Sequence, residues 1–322
     1  MPAPRALLVK LSSLGDVIHL MPAVTDLAAA RPEVAIAWAV EEAYAPLVAL
    51  HPAVREVHPV AIRRLKGGVL SPSAWRGLAR ARRALRSAPF DWIVDAQGLL
   101  KSVAVGRLAR GPLFGYDRRS IREKSAARFY DMALSVTREA HAVERCRRLL
   151  GAVFGYAPSG EARYGIEAPG ARPDWAPQGD YVVALHASSR KDKRWPDAHW
   201  TALAGRLDRE GIAVVYPGGS DAERRDAGRL AGASPGGIAA PPMTLPEAAS
   251  LLAGASAVVG VDTGLTHLAV AVGAPTVGLY VATEPGLTGL HGGARAVNLG
   301  GPGRVPSTAD VERVLFGDRT AT

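Results

Sequence analysis

The chain alternates two kinds of segment, and this alternation limits its fold more than any other feature. Short apolar runs, Ala6–Leu11, Ala35–Val40, Trp92–Asp95, Val182–His186, Ile212–Tyr216, Ala257–Asp262 and Thr276–Tyr280, are rich in Val, Ile and Leu without polar alternation. Such runs suit strands buried on both faces. Between them lie helix-length stretches, among them Pro22–Ala30, Ser73–Arg86, Ala142–Phe154, Pro196–Arg209 and Leu245–Leu252. The pattern implies an α/β fold of parallel sheets with right-handed crossovers. It runs once to about Tyr156, pauses, and restarts at Tyr181. The pause, Ala157–Asp180, holds Pro158, Pro169, Pro173 and Pro177 with several glycines and reads as a linker. With 322 residues the chain can build two cores. The expectation is therefore two doubly wound, Rossmann-like domains, 1–156 and 181–322, joined by 157–180 and facing across a cleft. The last helix is left free to pack back on the first domain. In such sheets ligands bind beyond the C-terminal ends of the strands.

Composition narrows the function. There are 39 Lys and Arg against 30 Asp and Glu, a net charge of +9. This favours anionic partners, although an Arg-rich composition is also what a GC-rich genome produces. The single cysteine, Cys146, rules out an intrachain disulfide or a Cys-based metal cluster and fits a reducing compartment. The N-terminus lacks a signal peptide's apolar core, and no window offers about 18 uninterrupted apolar residues. The sequence thus predicts a cytoplasmic protein whose membrane contact, if any, is peripheral. Aromatic residues make up only 6% of the chain, and no nucleic-acid reading motif is present, which argues against a nucleic-acid partner.

Chemistry-bearing residues collect at the strand ends. In Leu7–Val24, LLVKLSSLGDVIHLMPAV, a strand gives way to a turn at Ser12, Ser13 and Gly15, and Asp16 opens an apolar helix. The carboxylate fits a helix cap or a general base at a ligand site. In DAQGLLKS, Gly98 permits a tight turn, and Lys101 sits in a first helical turn where it opposes the helix dipole. Gln97 and Lys101 are thus candidate ligand contacts. AIRRLKGG, with Arg63, Arg64 and Lys66, reads as a solvated loop or as a clamp for phosphate or carboxylate groups. Arg118, Arg119 and Arg122 add positive charge to the same half. In the second half, ALHASSRKDKRWPDAHW offers the hydroxyls of Ser188 and Ser189, then Lys193 ahead of a helix that should begin at Pro196. YPGGSDAER delivers Glu223 after a glycine turn. VVGVDTGLTHLAVAVGAP brings Asp262, Thr263 and Gly264 to the start of a helix running toward Gly273, with His267 one turn in. A helix N-terminus attracts phosphate, and Lys193, Glu223 and this turn together suggest a nucleotide diphosphate site. His267 fits that site or a satisfied place in the core. Neither G-x-x-x-x-G-K-[ST] nor a G-x-G-x-x-G after the first strand is present, which weakens NTPase and dehydrogenase readings. No His/Cys cluster or close Asp pair argues for a metal.

At these residues the chain resembles the lipopolysaccharide heptosyltransferases over nearly its whole length. The matching pieces are SSLGDVIHLMPA, VEEAYA, VAIRRLK, DAQGLLKS, HAVER, HASSRKDKRWP and VDTGLTHLAVA. The resemblance implies the GT-B arrangement of two Rossmann-like domains. It implies transfer of L-glycero-D-manno-heptose from ADP-heptose to Kdo of Kdo–lipid A at the inner face of the inner membrane, with inversion and with no essential metal or other cofactor. By matched motif, Asp16 resembles the general base and Lys193 the phosphate-binding lysine. Glu223 resembles the ribose contact, and Met243 would lie near the adenine. Ser188, Ser189, Asp262, Thr263, Gly264 and His267 complete the donor side. Arg63, Arg64, Lys66 and Arg122, with Ser12, Gly15, Gln97 and Lys101, form the acceptor side. HASSR has serines where the family often has threonines, and the hydroxyls are retained. The family's second transferase, which adds the next heptose, is the nearest rival; AIRRLK and DAQGLLKS favour the first step. A non-catalytic nucleotide-sugar sensor is the rival of a different class, and Asp16 argues against it. No protein partner is implied.

Overall fold

The computed structural model describes residues 3–62 and 72–317. The loop cations Arg63, Arg64 and Lys66 lie outside these described residues. Two six-stranded sheets form, each parallel throughout. The first sheet is ordered β3-β2-β1-β4-β5-β6. Its strands are β1 (Arg5–Val9), β2 (Ala35–Glu41), β3 (Val54–Val60), β4 (Trp92–Asp95), β5 (Leu113–Tyr116) and β6 (Met132–Leu134). The second is ordered β12-β11-β10-β7-β8-β9. Its strands are β7 (Tyr181–Leu185), β8 (Ala213–Tyr216), β9 (Gly237–Ala239), β10 (Ala257–Val261), β11 (Thr276–Tyr280) and β12 (Ala296–Gly300).

Each sheet reverses its winding once. The chain lays down β1, β2 and β3 in one direction and then returns to the other side of β1 with β4. In the second sheet it lays down β7, β8 and β9, then returns beside β7 with β10. These reversals are the switch points at which open α/β sheets part their connections and leave a crevice for ligands.

The apolar runs announced β1, β2, β4, β7, β8, β10 and β11, and missed β5, the four-residue LFGY one place in from the edge. The edge strands carry weaker signals. β3 is VREVHPV, with Arg55, Glu56 and Pro59, and a proline is tolerated at an edge because the missing N–H need not join a ladder. β6 and β9 have only three residues each.

The helices differ from expectation at their ends. α1 runs from Leu14 to Ala30, with Pro22 inside it: it starts two residues before Asp16, which the sequence marks as the helix opening, and joins that opening to the Pro22–Ala30 stretch, so Gly15 belongs to its first turn rather than to a loop. A proline inside a helix forfeits a hydrogen bond and costs ~3 kcal/mol. Burial of Val17, Ile18, Leu20, Met21, Val24 and Leu27 along α1 outweighs it. Pro196 is the N-cap of its helix rather than the first helical residue.

The contacts divide the chain into 1–166 and 167–322. The segment read as a linker is shared between these units rather than lying free. Arg147, 3% exposed on α5 (Ala142–Phe154), pairs with Asp26 at 2.7 Å and Glu144 at 2.9 Å and donates to the Ser159 carbonyl at 2.9 Å. That fixes residues just past α5 to the first unit. Ser250 donates to the Pro169 carbonyl at 3.3 Å within the second. The last helix, Thr308–Phe316, packs in the second unit: Val311 joins the core around Trp195, Trp200 and Leu203, and Leu315 and Phe316 lie against it.

Candidate functional site

In the first unit, the turn after β1 and the turn after β4 are stitched together at the switch point. The side chain of Gln97 accepts from the Leu11 N–H at 2.7 Å and donates to the Ser12 carbonyl. Lys101, one residue into α4 (Leu100–Gly106), reaches the Ser12 hydroxyl at 2.8 Å. This ammonium, which opposes the dipole of its own helix, therefore serves the neighbouring turn. Ser13 donates from its N–H (2.8 Å) and hydroxyl (3.1 Å) to Oδ2 of Asp16. The half-buried Asp16 carboxylate thus closes the start of α1 and stands at the carboxyl edge of the sheet. The structure brings Ser12, Asp16, Gln97 and Lys101 to these adjoining turns, with Gly15 in the first turn of α1. Arg122 lies exposed in the segment after β5.

Beneath the stitch lies Asp95, fully buried at the end of β4. Its Oδ1 accepts from the N–H groups of Gln97 (2.8 Å) and Gly98 (3.1 Å). Its Oδ2 accepts from the hydroxyls of Ser102 (2.8 Å) and Tyr130 (2.8 Å). Burial pushes the Asp95 carboxyl up from its ordinary range, and these four donors oppose that push, Tyr130 foremost. Gly98 has φ of 72°, and a Cβ there would meet Ile121 Cγ1 at 2.8 Å, so this turn is open to glycine alone. Lys10, 8% exposed, donates to the Ala96 carbonyl at 2.8 Å and ties β1 to the same turn. The sequence reading assigned no role to Asp95, Lys10, Ser102 or Tyr130.

The second unit repeats the arrangement between β7 and β10. Lys193 Nζ lies 2.7 Å from Oδ2 of Asp262, and Thr283, just past β11, donates to the same oxygen at 2.7 Å. Ser188, after β7, donates to the Asp262 carbonyl at 3.4 Å. Thr263 is the N-cap of α9 (Gly264–Ala271), which ends two residues before Gly273. The helix comes close to the sheet because Gly260 leaves room for Thr266, whose hydroxyl turns back onto the Val261 carbonyl at 2.7 Å. A cation, a carboxylate, two hydroxyls and the N–H groups of a helix start thus share one strand edge, the outfit of a polyanion site. His267 is buried on α9 at 4% exposure.

Glu223 stands apart from that cluster, in the first turn of α7 (Asp221–Ala233). Its Oε2 accepts from the N–H groups of Gly219 (2.9 Å) and Ser220 (3.0 Å). Gly218 is needed there, since a Cβ would lie 2.6 Å from the Arg224 nitrogen. Met243 is half-buried just before α8 (Leu245–Ala253), and Ser189 is exposed. His186, 6% exposed at the end of β7, packs edge-on to Tyr216 with ring centroids 6.0 Å apart, and burial pushes its pKa down. Thr283 was not foreseen; its only signal was its place just past an apolar run.

Two Rossmann-like units, each with its polar residues gathered at a switch point, define a GT-B-like glycosyltransferase. Residues 78–310 match the model of glycosyltransferase family 9 (heptosyltransferase). The lipopolysaccharide heptosyltransferase 1 of Pseudomonas aeruginosa is 44% identical over 301 residues, covering 92% of this chain and 83% of that one. The structure of E. coli heptosyltransferase WaaC with ADP superposes with a TM-score of 0.89 at 39% identity, covering 96% of this chain and 98% of that one. WaaC with ADP-2-deoxy-2-fluoro heptose gives 0.86 at 38% identity over the same shares. The chain belongs to glycosyltransferase family 9, the heptosyltransferases.

Proposed function

We propose that this heptosyltransferase moves L-glycero-D-manno-heptose from ADP-heptose to a Kdo hydroxyl of Kdo–lipid A, the first heptose transfer of lipopolysaccharide core synthesis. The reading is supported by extended likeness to a type 1 enzyme and to WaaC structures named for ADP and an ADP-heptose analogue. The observation that carries it is the Lys193–Asp262–Thr283 cluster beside the start of α9.

The second unit holds ADP-heptose. Lys193 and the N–H groups at Thr263 and Gly264 meet the diphosphate, and Asp262 and Thr283 meet hydroxyls of the sugar. Glu223 takes the ribose, next to Met243 and the adenine. On the first unit the Kdo hydroxyl gives its proton to Asp16 as its oxygen bonds to the anomeric carbon. The bond from that carbon to the β-phosphate oxygen breaks, its electron pair leaves with ADP, and the anomeric centre inverts. The charge gathering on ADP is met by Lys193 and the helix start, a form of stabilisation worth a few kcal/mol per donor. These groups supply the role a metal ion would otherwise fill, so transfer should persist in excess chelator. Gln97 and Lys101 hold the Ser12 turn against which the acceptor lies, and Arg63, Arg64, Lys66 and Arg122 supply positive charge for its anionic groups. Among the described residues no helix is long and apolar enough to cross a membrane. With a net charge of +9 the protein meets the anionic inner face of the inner membrane peripherally.

Incubation with ADP-heptose and Kdo–lipid A, followed by mass measurement of the lipid, tests this reading. A gain of one heptose is expected. Transfer only to an acceptor that already carries a heptose would assign the second step instead, and ADP-heptose binding without transfer to either would leave a sensor.

A further inference from the structure

A hollow of about 500 Å³ in the first unit is lined by Arg118, Arg119, Lys124 and Arg138. None of these matched the motifs that carried the acceptor assignment. All four are exposed, and among the described residues no acidic one joins the lining. Four like charges around one hollow repel one another unless an anion sits among them.

The hollow is built rather than incidental. Asp117 follows β5, and its Oδ1 accepts from the Arg119 N–H (3.1 Å), the Ser120 N–H (2.8 Å) and the Ser120 hydroxyl (2.6 Å). Its carboxylate is thereby engaged inside the turn, and its own N–H donates to the Leu134 carbonyl at 2.8 Å. The Ser120 hydroxyl in turn accepts from the Val136 N–H at 2.8 Å. These bonds clamp the Arg118–Arg119 turn to the segment that leads from β6 to Arg138. The Glu123 N–H donates to the Gly98 carbonyl at 3.1 Å, which brings the neighbouring Lys124 to the turn after β4. Glu123, the carboxylate beside Lys124, is occupied by the Leu100 N–H at 2.8 Å. The cations therefore stand at the carboxyl ends of β4, β5 and β6, the same edge that carries the Asp16 turn after β1. With β4 and β5 between β1 and β6, two to three strand spacings of ~4.8 Å put the hollow about 10–15 Å along the edge from that turn.

We propose that this hollow is a binding site for a phosphomonoester, and that the phosphate belongs to the glycolipid acceptor itself, at about a sugar's length or two from the hydroxyl that reacts. The proposal rests on the acceptor assignment above. A concave site of this volume suits a sugar phosphate. Guanidinium groups grip phosphate oxygens in pairs. A bilayer headgroup offers the same chemistry, but a flat array of exposed cations would serve a bilayer as well, and here the cations line an open hollow.

The test is the triple variant R118Q/R119Q/K124Q, which leaves the hydrogen bonds of the clamp in place because those bonds use the backbone, Asp117 and Ser120. KM would be measured for Kdo–lipid A with its phosphates and after enzymatic dephosphorylation, in neutral detergent micelles. The wild-type protein should prefer the phosphorylated acceptor, and the variant should lose that preference, with KM for it rising about 10- to 100-fold and KM for ADP-heptose unmoved. No rise, or an equal rise for both acceptors, overturns the proposal. A preference that appears only when anionic phospholipid is added to the micelles assigns the cations to the bilayer and also overturns it. Titration with glucosamine 6-phosphate in saturating ADP is independent of transfer. Binding by the wild-type protein and loss of it in the variant support the site even if the heptose acceptor proves to be another, and equal behaviour of the two proteins refutes the site.

Discussion

Asp16 stands where a helix cap and a general base would each stand, and Asp16→Asn separates the two roles. The structure sets the size of both effects. As a cap, Asp16 accepts from the Ser13 N–H at 2.8 Å and the Ser13 hydroxyl at 3.1 Å, both at Oδ2. The amide oxygen of asparagine can take the same N–H, and its NH₂ can donate to the serine oxygen. What is lost is the negative charge at the start of α1, worth about 0.3–1 kcal/mol. A change of that size should lower the melting temperature by no more than about 4 °C in a chain of this length. As a base, the residue must take a proton, and an amide cannot. Turnover should fall by about 10²–10⁴-fold. ADP affinity should survive, since the residues proposed to hold the diphosphate lie on the second unit. Steady-state transfer, thermal unfolding and ADP calorimetry on the one variant decide the matter. Near-wild-type turnover in a folded protein would refute the base and leave Asp16 as a cap.

Further outcomes follow from other parts of the molecule. Lys193→Ala should weaken ADP binding about 10- to 100-fold, the worth of one charge-assisted contact, and calorimetry with ADP, UDP and GDP should rank ADP first; wild-type affinity in the variant would make the Lys193–Asp262 pair structural. His51 is buried, with Nε2 3.0 Å from the Thr25 hydroxyl, and burial pushes its pKa down to about 4 from 6.5. Its neutral form therefore supports the fold above pH 6.5, and that support, at most about 3 kcal/mol, is lost as pH falls toward 4; His51→Gln should flatten the pH dependence of denaturant unfolding in that window, and an unchanged slope would show that the shift is absent. Binding to anionic vesicles should fall as salt rises, since exposed charges are screened beyond about 10 Å at 0.1 M; salt-insensitive attachment would point to an apolar anchor.

The fold was legible where burial leaves one kind of residue. β1, β2, β4, β7, β10 and β11 lie at or next to the centre of their sheets, covered on both faces, and their sequences are apolar runs. The edge strands β3, β6, β9 and β12 are half solvated or very short, so polar residues and a proline hide them. Helix interiors were legible and helix starts less so. Asp16 marked the opening of α1 to within two residues, yet Pro22 split the helix in the reading, since a proline more often starts a helix than sits inside one.

The candidate site divides in the same way. Asp16 and Asp262 are polar residues at the junction of an apolar run and a helix, and Lys193 lies in the loop between a strand and a helix; those positions mark them in the sequence. Asp95 occupies the same kind of position, but its part is not to meet a ligand. A carboxylate with no exposure is costly unless several donors surround it, and here four do, drawn from residues 97, 98, 102 and 130. Two of those donors are backbone groups of the very turn that carries Gln97, whose amide grips Leu11 and Ser12 across the switch point. A polar residue buried to hold a turn and one exposed to hold a substrate share composition and spacing, so only the directions of their hydrogen bonds tell them apart. Tyr130 lies 35 residues from Asp95 in the chain, and only the folded sheet brings its hydroxyl to that carboxylate. The turn after β4 thus rests on a buried charge whose donors all lie within the first unit, and this is the physical reason it can be set before any ligand arrives.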